Sequence, residues 1–175
     1  MDNSLRGFLG RQFEEGMALA ADSDLFRLVP FDGAHHQRYV AEFRCTGLVQ
    51  AASGEIVPAD HFGIGIWFPD DYLRFADPFT VLTMLGPPQT FHPNVSAHAP
   101  FICPGYLAAG TELVDILYRC FEILTWNRVT MVEKDALNVE ACAWARRNLH
   151  RLPVDNRPLK RARTDFRVEA VGGMR

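Results

Sequence analysis

The sequence predicts an α+β fold in which an N-terminal helix precedes a four-stranded antiparallel meander sheet, and a long irregular loop leads to C-terminal helices. Three observations predict it: apolar residues at helical spacing near the start, alternating apolar residues in the next segments, and a return to helical spacing after residue 111. The 175 residues have the length of one domain. We place that domain at residues 1–150 and a basic C-terminal tail at residues 151–175.

The first helix is expected over residues 4–21, with Ser4 as its N-cap. Arg6 and Arg11 lie on its outer side, together with glutamates. The inner side carries apolar residues at helical spacing, namely Leu5, Phe8, Leu9, Phe13, Met17 and Ala20. This pattern is typical of an amphipathic surface helix.

Four strands are expected from period-two alternation or from β-branched and apolar content, at residues 25–31, 37–48, 61–68 and 79–85. The segment 51–58 between the second and third strands is rich in turn residues. Residues 89–111 show no sustained period, and irregular segments of that length in compact domains are usually functional. Helices are then expected over residues 112–126, capped by Thr111, and over residues 136–149.

The composition argues against two classes of partner. The net charge of −3 lacks the basic excess of a nucleic-acid-binding protein, so we expect no nucleic acid. No apolar run is long enough to span a bilayer, and residues 1–10 lack a signal-peptide core, so we expect no membrane association and a cytoplasmic location.

The cysteines Cys45, Cys103, Cys120 and Cys142 include no CxxC pair. We therefore expect no metal site, and free thiols in a reducing compartment.

The irregular loop contains a motif that carries a family resemblance. Residues 91–95 read Phe-His-Pro-Asn-Val and residues 101–103 read Phe-Ile-Cys. This resembles the active-site signature of ubiquitin-conjugating enzymes, in which a His-Pro-Asn turn precedes an Ile-Cys-Leu segment with the nucleophilic cysteine. The flanks agree, because residues 66–72 resemble the family's strand ending in Phe-Pro and an Asp-Tyr pair, and residues 135–138 resemble its Asp-Pro-Leu-Asn segment. The resemblance covers about residues 4–149 and implies the ubiquitin-conjugating-enzyme fold.

The motif departs from the family pattern in three ways. Asn94 and Cys103 are nine positions apart, one more than is common in the family. Pro104 replaces the leucine that usually follows the cysteine, and it has no backbone N–H to offer. The tryptophan that often follows is absent. The sequence is thus similar to divergent bacterial members from ubiquitin-like conjugation operons, and a role in antiviral defence would follow from that similarity.

The resemblance implies a ubiquitin-like protein transferase. Cys103 would accept a ubiquitin-like protein from an activating enzyme as a thioester and pass it to a lysine of a target protein. A thiolate suits both steps because it is a good nucleophile and a good leaving group. We expect no cofactor in this chain, since ATP is used by the activating enzyme.

Further residues take expected roles from the resemblance. Asn94 stabilises the oxyanion, orders the loop, or does both. Asp135 orients the attacking amine or caps the next helix, and these roles are compatible. His92 and Pro93 support the active-site loop. Arg6 and Arg11 form a docking face for the activating enzyme, suited to an acidic partner surface.

Two other functions stay open. The first is a catalytically silent variant of the same fold that binds a ubiquitin-like protein, although such variants usually lack the cysteine. The second is a cysteine hydrolase in which His98 is the base for Cys103.

Overall fold

A four-stranded antiparallel sheet forms the centre of the computed structural model, which describes residues 2–161. The strands are β1 (Phe26–Pro30), β2 (Arg38–Phe43), β3 (Gly47–Gln50), β4 (Ile56–Ala59), β5 (Phe62–Trp67) and β6 (Leu82–Gly86). The helices are α1 (Asn3–Ala21), α2 (Pro78–Val81), α3 (Leu113–Leu124) and α4 (Val139–Arg147), with 3₁₀ turns at Gly33–His35, Glu133–Asp135 and Leu149–Arg151. The sheet order is β1-β2-β5-β6, and β3 pairs with β4 in a separate hairpin. The α+β class and the four-stranded antiparallel sheet are confirmed.

One core lies between one face of the sheet and the helices α1 and α3. Alternate strand residues point into it, such as Ala41 opposite Ile64 and Phe43 opposite Phe62. These four side chains are at most 1% exposed. Burial of such side chains is the main favourable contribution to folding, and it fixes the register because a slip by one residue would turn them to solvent.

The expected second strand over residues 37–48 is too long. The strand β2 ends at Phe43, and Gly47 begins the separate strand β3. A Cβ atom at Gly47 would lie 2.6 Å from Cζ of Phe62 and 2.8 Å from the backbone oxygen of Leu124, so the chain leaves the sheet through a gap that only glycine fits. The apolar alternation in the sequence continues past the end of β2, so this pattern did not reveal where the strand ends. The expected turn region 51–58 is likewise wrong in its second half, which forms β4.

The expected fourth strand over residues 79–85 begins too early. Its first residues form the short helix α2, and the strand β6 starts at Leu82. Asp77 explains the change, because its carboxylate accepts the N–H of Phe79 at 3.3 Å and the hydroxyl of Thr80 at 2.8 Å. With Pro78 at the first helical position, this is a good helix start.

The helix α1 is capped by Asp2, whose carboxylate accepts the N–H of Leu5 at 2.9 Å, so the expectation of a Ser4 cap is wrong. The apolar face of α1 also buries Gln12, which is 0% exposed. The Oε1 atom of Gln12 accepts the N–H of Leu113 at 2.6 Å and satisfies a free donor at the start of α3. The expected Thr111 cap is also wrong, because that hydroxyl donates to the backbone oxygen of Ala108 at 2.7 Å. Helix α1 therefore orders α3 directly.

The chain after α4 returns to the core. The carboxylate of Asp155 accepts the N–H of Thr46 at 3.2 Å, and hydrogen bonds from Arg157 lower its pKa to about 2. Leu159 is buried, and Arg161 forms an ion pair with Asp24 at 2.6 Å. Residues 162–175 of the predicted basic tail lie outside the described residues. Within residues 2–161, no helix has the length and apolar content that crossing a membrane requires.

Candidate functional site

The Cys103 hairpin, residues 94–103, brings the two ends of the sequence motif together. The N–H of Cys103 donates to the backbone oxygen of Asn94 at 2.8 Å. Val95 and Ile102 form an antiparallel bridge, and the N–H of Ser96 donates to the oxygen of Phe101 at 2.9 Å. These backbone bonds accommodate the nine-position spacing and fix Cys103 beside Asn94.

The side chain of Asn94 adds two further bonds. Its Nδ2 atom donates to the backbone oxygen of Cys103 at 3.2 Å, and its Oδ1 atom accepts the N–H of Thr130 at 2.9 Å. The residue is 7% exposed. In this arrangement the amide orders the loop, and one of its two N–H groups carries a bond to Cys103.

His92 supports this turn from the protein interior. It is 1% exposed, and its Nδ1 atom accepts the N–H of Asn94 at 3.0 Å. Its ring packs edge-on against Trp126, with 4.5 Å between ring centroids. Burial lowers the pKa of His92 to about 3, so the ring is neutral at physiological pH.

Pro93 joins the turn to the approach of α4. Its backbone oxygen accepts the N–H of Leu137 at 2.9 Å and the N–H of Asn138 at 3.2 Å. The segment that carries Asp135 is thereby held beside the His-Pro-Asn turn.

Asp135 is the last residue of an exposed 3₁₀ turn, Glu133–Asp135. The cap of α4 is Asn138, whose Oδ1 atom accepts the N–H of Ala141 at 2.9 Å. The helix-cap alternative for Asp135 is therefore wrong. Its carboxylate makes no hydrogen bond or ion pair within residues 2–161, and its role toward an amine stays a prediction.

The four thiols differ sharply in access. Burial raises the pKa of Cys45 and of Cys120 to about 12 each, and it also raises the pKa of the buried Cys142. Cys103 is half-buried, while the other three are buried. Of the four, Cys103 alone can meet a second protein.

Two arginines flank the segment that follows Cys103. The Nη1 atom of Arg119 donates to the backbone oxygen of Tyr106 at 2.7 Å. The guanidinium of Arg128 lies against Gly105, where a Cβ atom would be 3.0 Å from its Nη2 atom. Neither arginine was predicted, because no periodicity or motif in the sequence marks them.

The predicted docking residues lie on α1. Arg6 and Arg11 are both exposed on α1, as expected. Five helical positions separate them, which corresponds to about 140° around the helix axis. Arg6 borders a pocket of about 310 Å³ with Ala34, His35 and His36. The two arginines therefore point to different sides of α1.

His98 lies at the exposed tip of the Cys103 hairpin, where its N–H donates to Oγ of Ser96 at 3.3 Å. Cys103 stands at the base of the same hairpin. Within residues 2–161, no hydrogen bond joins the two side chains.

No group of three or more His, Cys, Asp or Glu side chains is placed to hold a metal ion in the described part of the chain. Compared with known proteins, the chain matches neither a protein-family model nor a curated sequence.

Proposed function

We propose that this chain is a ubiquitin-conjugating-type transferase. Cys103 accepts a ubiquitin-like protein from an activating enzyme as a thioester and delivers it to a lysine of a target protein. The single observation that carries the proposal is that Cys103 is the accessible thiol among four and is held by backbone and side-chain bonds from Asn94. The proposal includes the ubiquitin-conjugating-enzyme fold, a divergent bacterial origin, a cytoplasmic location and a role in antiviral defence.

Two acyl transfers follow from this arrangement. In charging, the thiolate of Cys103 attacks the thioester on the activating enzyme, whose own thiolate leaves. In discharge, a neutral lysine amine attacks the new thioester, and Cys103 leaves as a thiolate. The exposed carboxylate of Asp135, held near the turn through Pro93, orients the amine. An N–H of Asn94 stabilises the oxyanion.

The structure gives less support to a hydrolase. A base must come within hydrogen-bond reach of the group that it deprotonates. His98 lies at the far end of the hairpin, and Nδ1 of the buried His92 already accepts the N–H of Asn94. A silent binding variant is also disfavoured, because it would not need an accessible thiol on an ordered hairpin.

The test uses a cognate activating enzyme and its ubiquitin-like protein. Incubation with ATP should give an adduct on a non-reducing gel that a thiol reagent removes. The variant Cys103→Ala should form none, and Cys103→Ser should form a more stable ester or none. As the matched control, Cys142→Ala should charge normally.

A reducible adduct on Cys103→Ala would refute the assignment of the acceptor. Hydrolysis of the thioester on Cys103 at the same rate with and without lysine would instead favour the hydrolase.

A further inference from the structure

A thioester on Cys103 would find few hydrogen-bond donors in its own loop. The N–H of Cys103 is bonded to the oxygen of Asn94 at 2.8 Å, and Pro104 has no N–H. One N–H of the Asn94 amide is bonded to the oxygen of Cys103 at 3.2 Å. Attack by an amine places a full negative charge on the thioester oxygen, so a further donor has an important role there.

Gly105 shows where such a donor lies. Its φ of +85° favours glycine, and a Cβ atom there would lie 3.0 Å from Nη2 and 3.9 Å from Cζ of Arg128. The guanidinium thus lies beside the chain two residues after Cys103. Two residues of extended chain span at most about 7 Å, so the long Arg128 side chain can reach a group on Cys103.

Arg128 is also free to make that contact. Its nearest carboxylate, on Glu122, is 3.9 Å away, and the two side chains are 42% and 48% exposed. An exposed pair of this kind contributes about 0–1 kcal/mol. Arg119 differs, because a 2.7 Å bond to the oxygen of Tyr106 already holds it. Of the two arginines beside this loop, Arg128 is therefore the one that is free to approach a thioester on Cys103.

We infer that Arg128 is a catalytic residue of the discharge step, whose guanidinium donates a hydrogen bond to the thioester oxygen of Cys103. The inference rests on the proposed function. The amine nitrogen forms a bond to the carbonyl carbon, and the C=O electron pair moves to oxygen, where Arg128 stabilises it. Collapse restores C=O and breaks the C–S bond, whose electron pair leaves on sulfur, while the proton of the amine passes to solvent. Arg128 stays protonated throughout.

The experiment uses the full chain and a synthetic probe, the N-acetyl-glycylglycine thioester of 2-mercaptoethanesulfonate, whose blocked amine cannot cyclise onto the thioester. The probe loads Cys103 by thioester exchange, excess probe is removed, and free lysine is added while intact mass follows the loss of the acyl group. The variants are Arg128→Gln, which removes the charge, and Arg128→Lys, which keeps the charge without the planar fork. Glu122→Gln is the matched control, because it removes only the weak partner of Arg128.

We expect Arg128→Gln to load near the parental rate and to discharge at least ~10-fold more slowly, less than the ~10²–10³ of a fully enclosed donor because the site is half-exposed. Millimolar guanidinium chloride, far below denaturing concentrations, should restore part of the rate. The discharge rate of Arg128→Lys should lie between those of the parent and Arg128→Gln. Glu122→Gln should discharge at least as fast as the parent.

Discharge of Arg128→Gln at the parental rate would overturn the inference. So would an equal loss of loading and discharge without rescue by guanidinium, since that result describes a structural role. Failure of the proposed function would be distinguishable from failure of this inference. The first would be seen as a lack of charging by the activating enzyme, whereas the synthetic probe loads the thiol without that enzyme.

Discussion

The side-chain amide of Asn94 donates to the backbone oxygen of Cys103 at 3.2 Å, and the backbone of Asn94 accepts the N–H of Cys103 at 2.8 Å. One residue thus holds Cys103 through both its main chain and its side chain. The main-chain bond is independent of the side chain, so a substitution at Asn94 can separate loop order from chemistry.

Asn94→Ala should charge at a near-normal rate and discharge much more slowly. The hairpin backbone bonds remain and keep Cys103 accessible, but aminolysis needs more help at the oxyanion than thioester exchange does. Loss of the bonds to Cys103 and Thr130 should also lower the free energy of unfolding by about 1–3 kcal/mol. A pulse-chase with lysine and a urea titration measure the two effects.

Asn94→Asp is the comparison, because its carboxylate still accepts the N–H of Thr130 but cannot donate. It should regain stability without regaining discharge. Equal losses in charging and discharge for Asn94→Ala would show that the amide acts by ordering the loop.

His92 should make stability depend on pH in a defined window. Its pKa falls from 6.5 to about 3 on burial, so between these values the unfolded chain binds a proton that the folded chain does not. Its contribution to stability is complete above about pH 6.5 and is lost as the pH falls toward 3, by up to about 1.4 kcal/mol per pH unit.

The check is urea unfolding at pH 7 and pH 5 for the parent and for His92→Asn. Asparagine keeps an acceptor for the N–H of residue 94 and does not titrate. The variant should be less stable at pH 7, where the packing on Trp126 is lost, but its stability should change less between the two pH values. Parallel pH dependences would contradict the neutral, buried ring.

Gln12 should contribute more to the free energy of unfolding than an exposed glutamine does. Gln12→Ala leaves the buried N–H of Leu113 without a partner, which costs about 1–3 kcal/mol. Thermal or urea unfolding measures this loss. Gln89→Ala, at an exposed glutamine, is the control and should change stability by no more than about 0.5 kcal/mol. If the two variants unfold alike, the Gln12 cap on α3 is unimportant.

Arg6 and Arg11 should differ in their effects on charging. Both are exposed and form no ion pair within residues 2–161, so reversal to Glu should leave the fold intact. Because they point about 140° apart around α1, a flat acidic partner surface contacts one more closely than the other. Charging kinetics at low salt should therefore be slowed unequally by the single variants and most by the double variant.

Arg27→Glu, on the exposed face of β1, is the matched charge reversal and should charge normally. A double variant with parental kinetics would remove α1 as the docking face for the activating enzyme.

Local patterns predicted the elements that bury one clear face and failed where the chain makes a distant contact. The helix α1 and the strand β5 follow directly from periodicity, β1 follows from Pro30 and the turn after it, and β2 was predicted with an end that is too late. The strand β3 was hidden because Gly47 starts it for a tertiary reason, the close approach of Phe62 and the Leu124 carbonyl. Gln12 did carry a signal, since a polar residue on an otherwise apolar helical face indicates a buried partner.

The candidate site was predictable to the extent that it is contiguous in sequence. The motif located His92, Pro93, Asn94 and Cys103, and the structure brings all four together. Arg128 lies against Gly105 only because the chain after α3 returns to this loop, where the N–H of Thr130 also bonds to Asn94, and no sequence spacing encodes that return.

Among its four cysteines the protein has a single accessible thiol, and this determines its redox behaviour. An oxidant that reaches Cys103 finds no second accessible thiol in the same chain to close an internal disulfide. The products are therefore a mixed disulfide with a small thiol or a bridge between two chains, both reversible by reductant. Stored without reductant, the chain should accumulate covalent dimers while its fold stays unchanged.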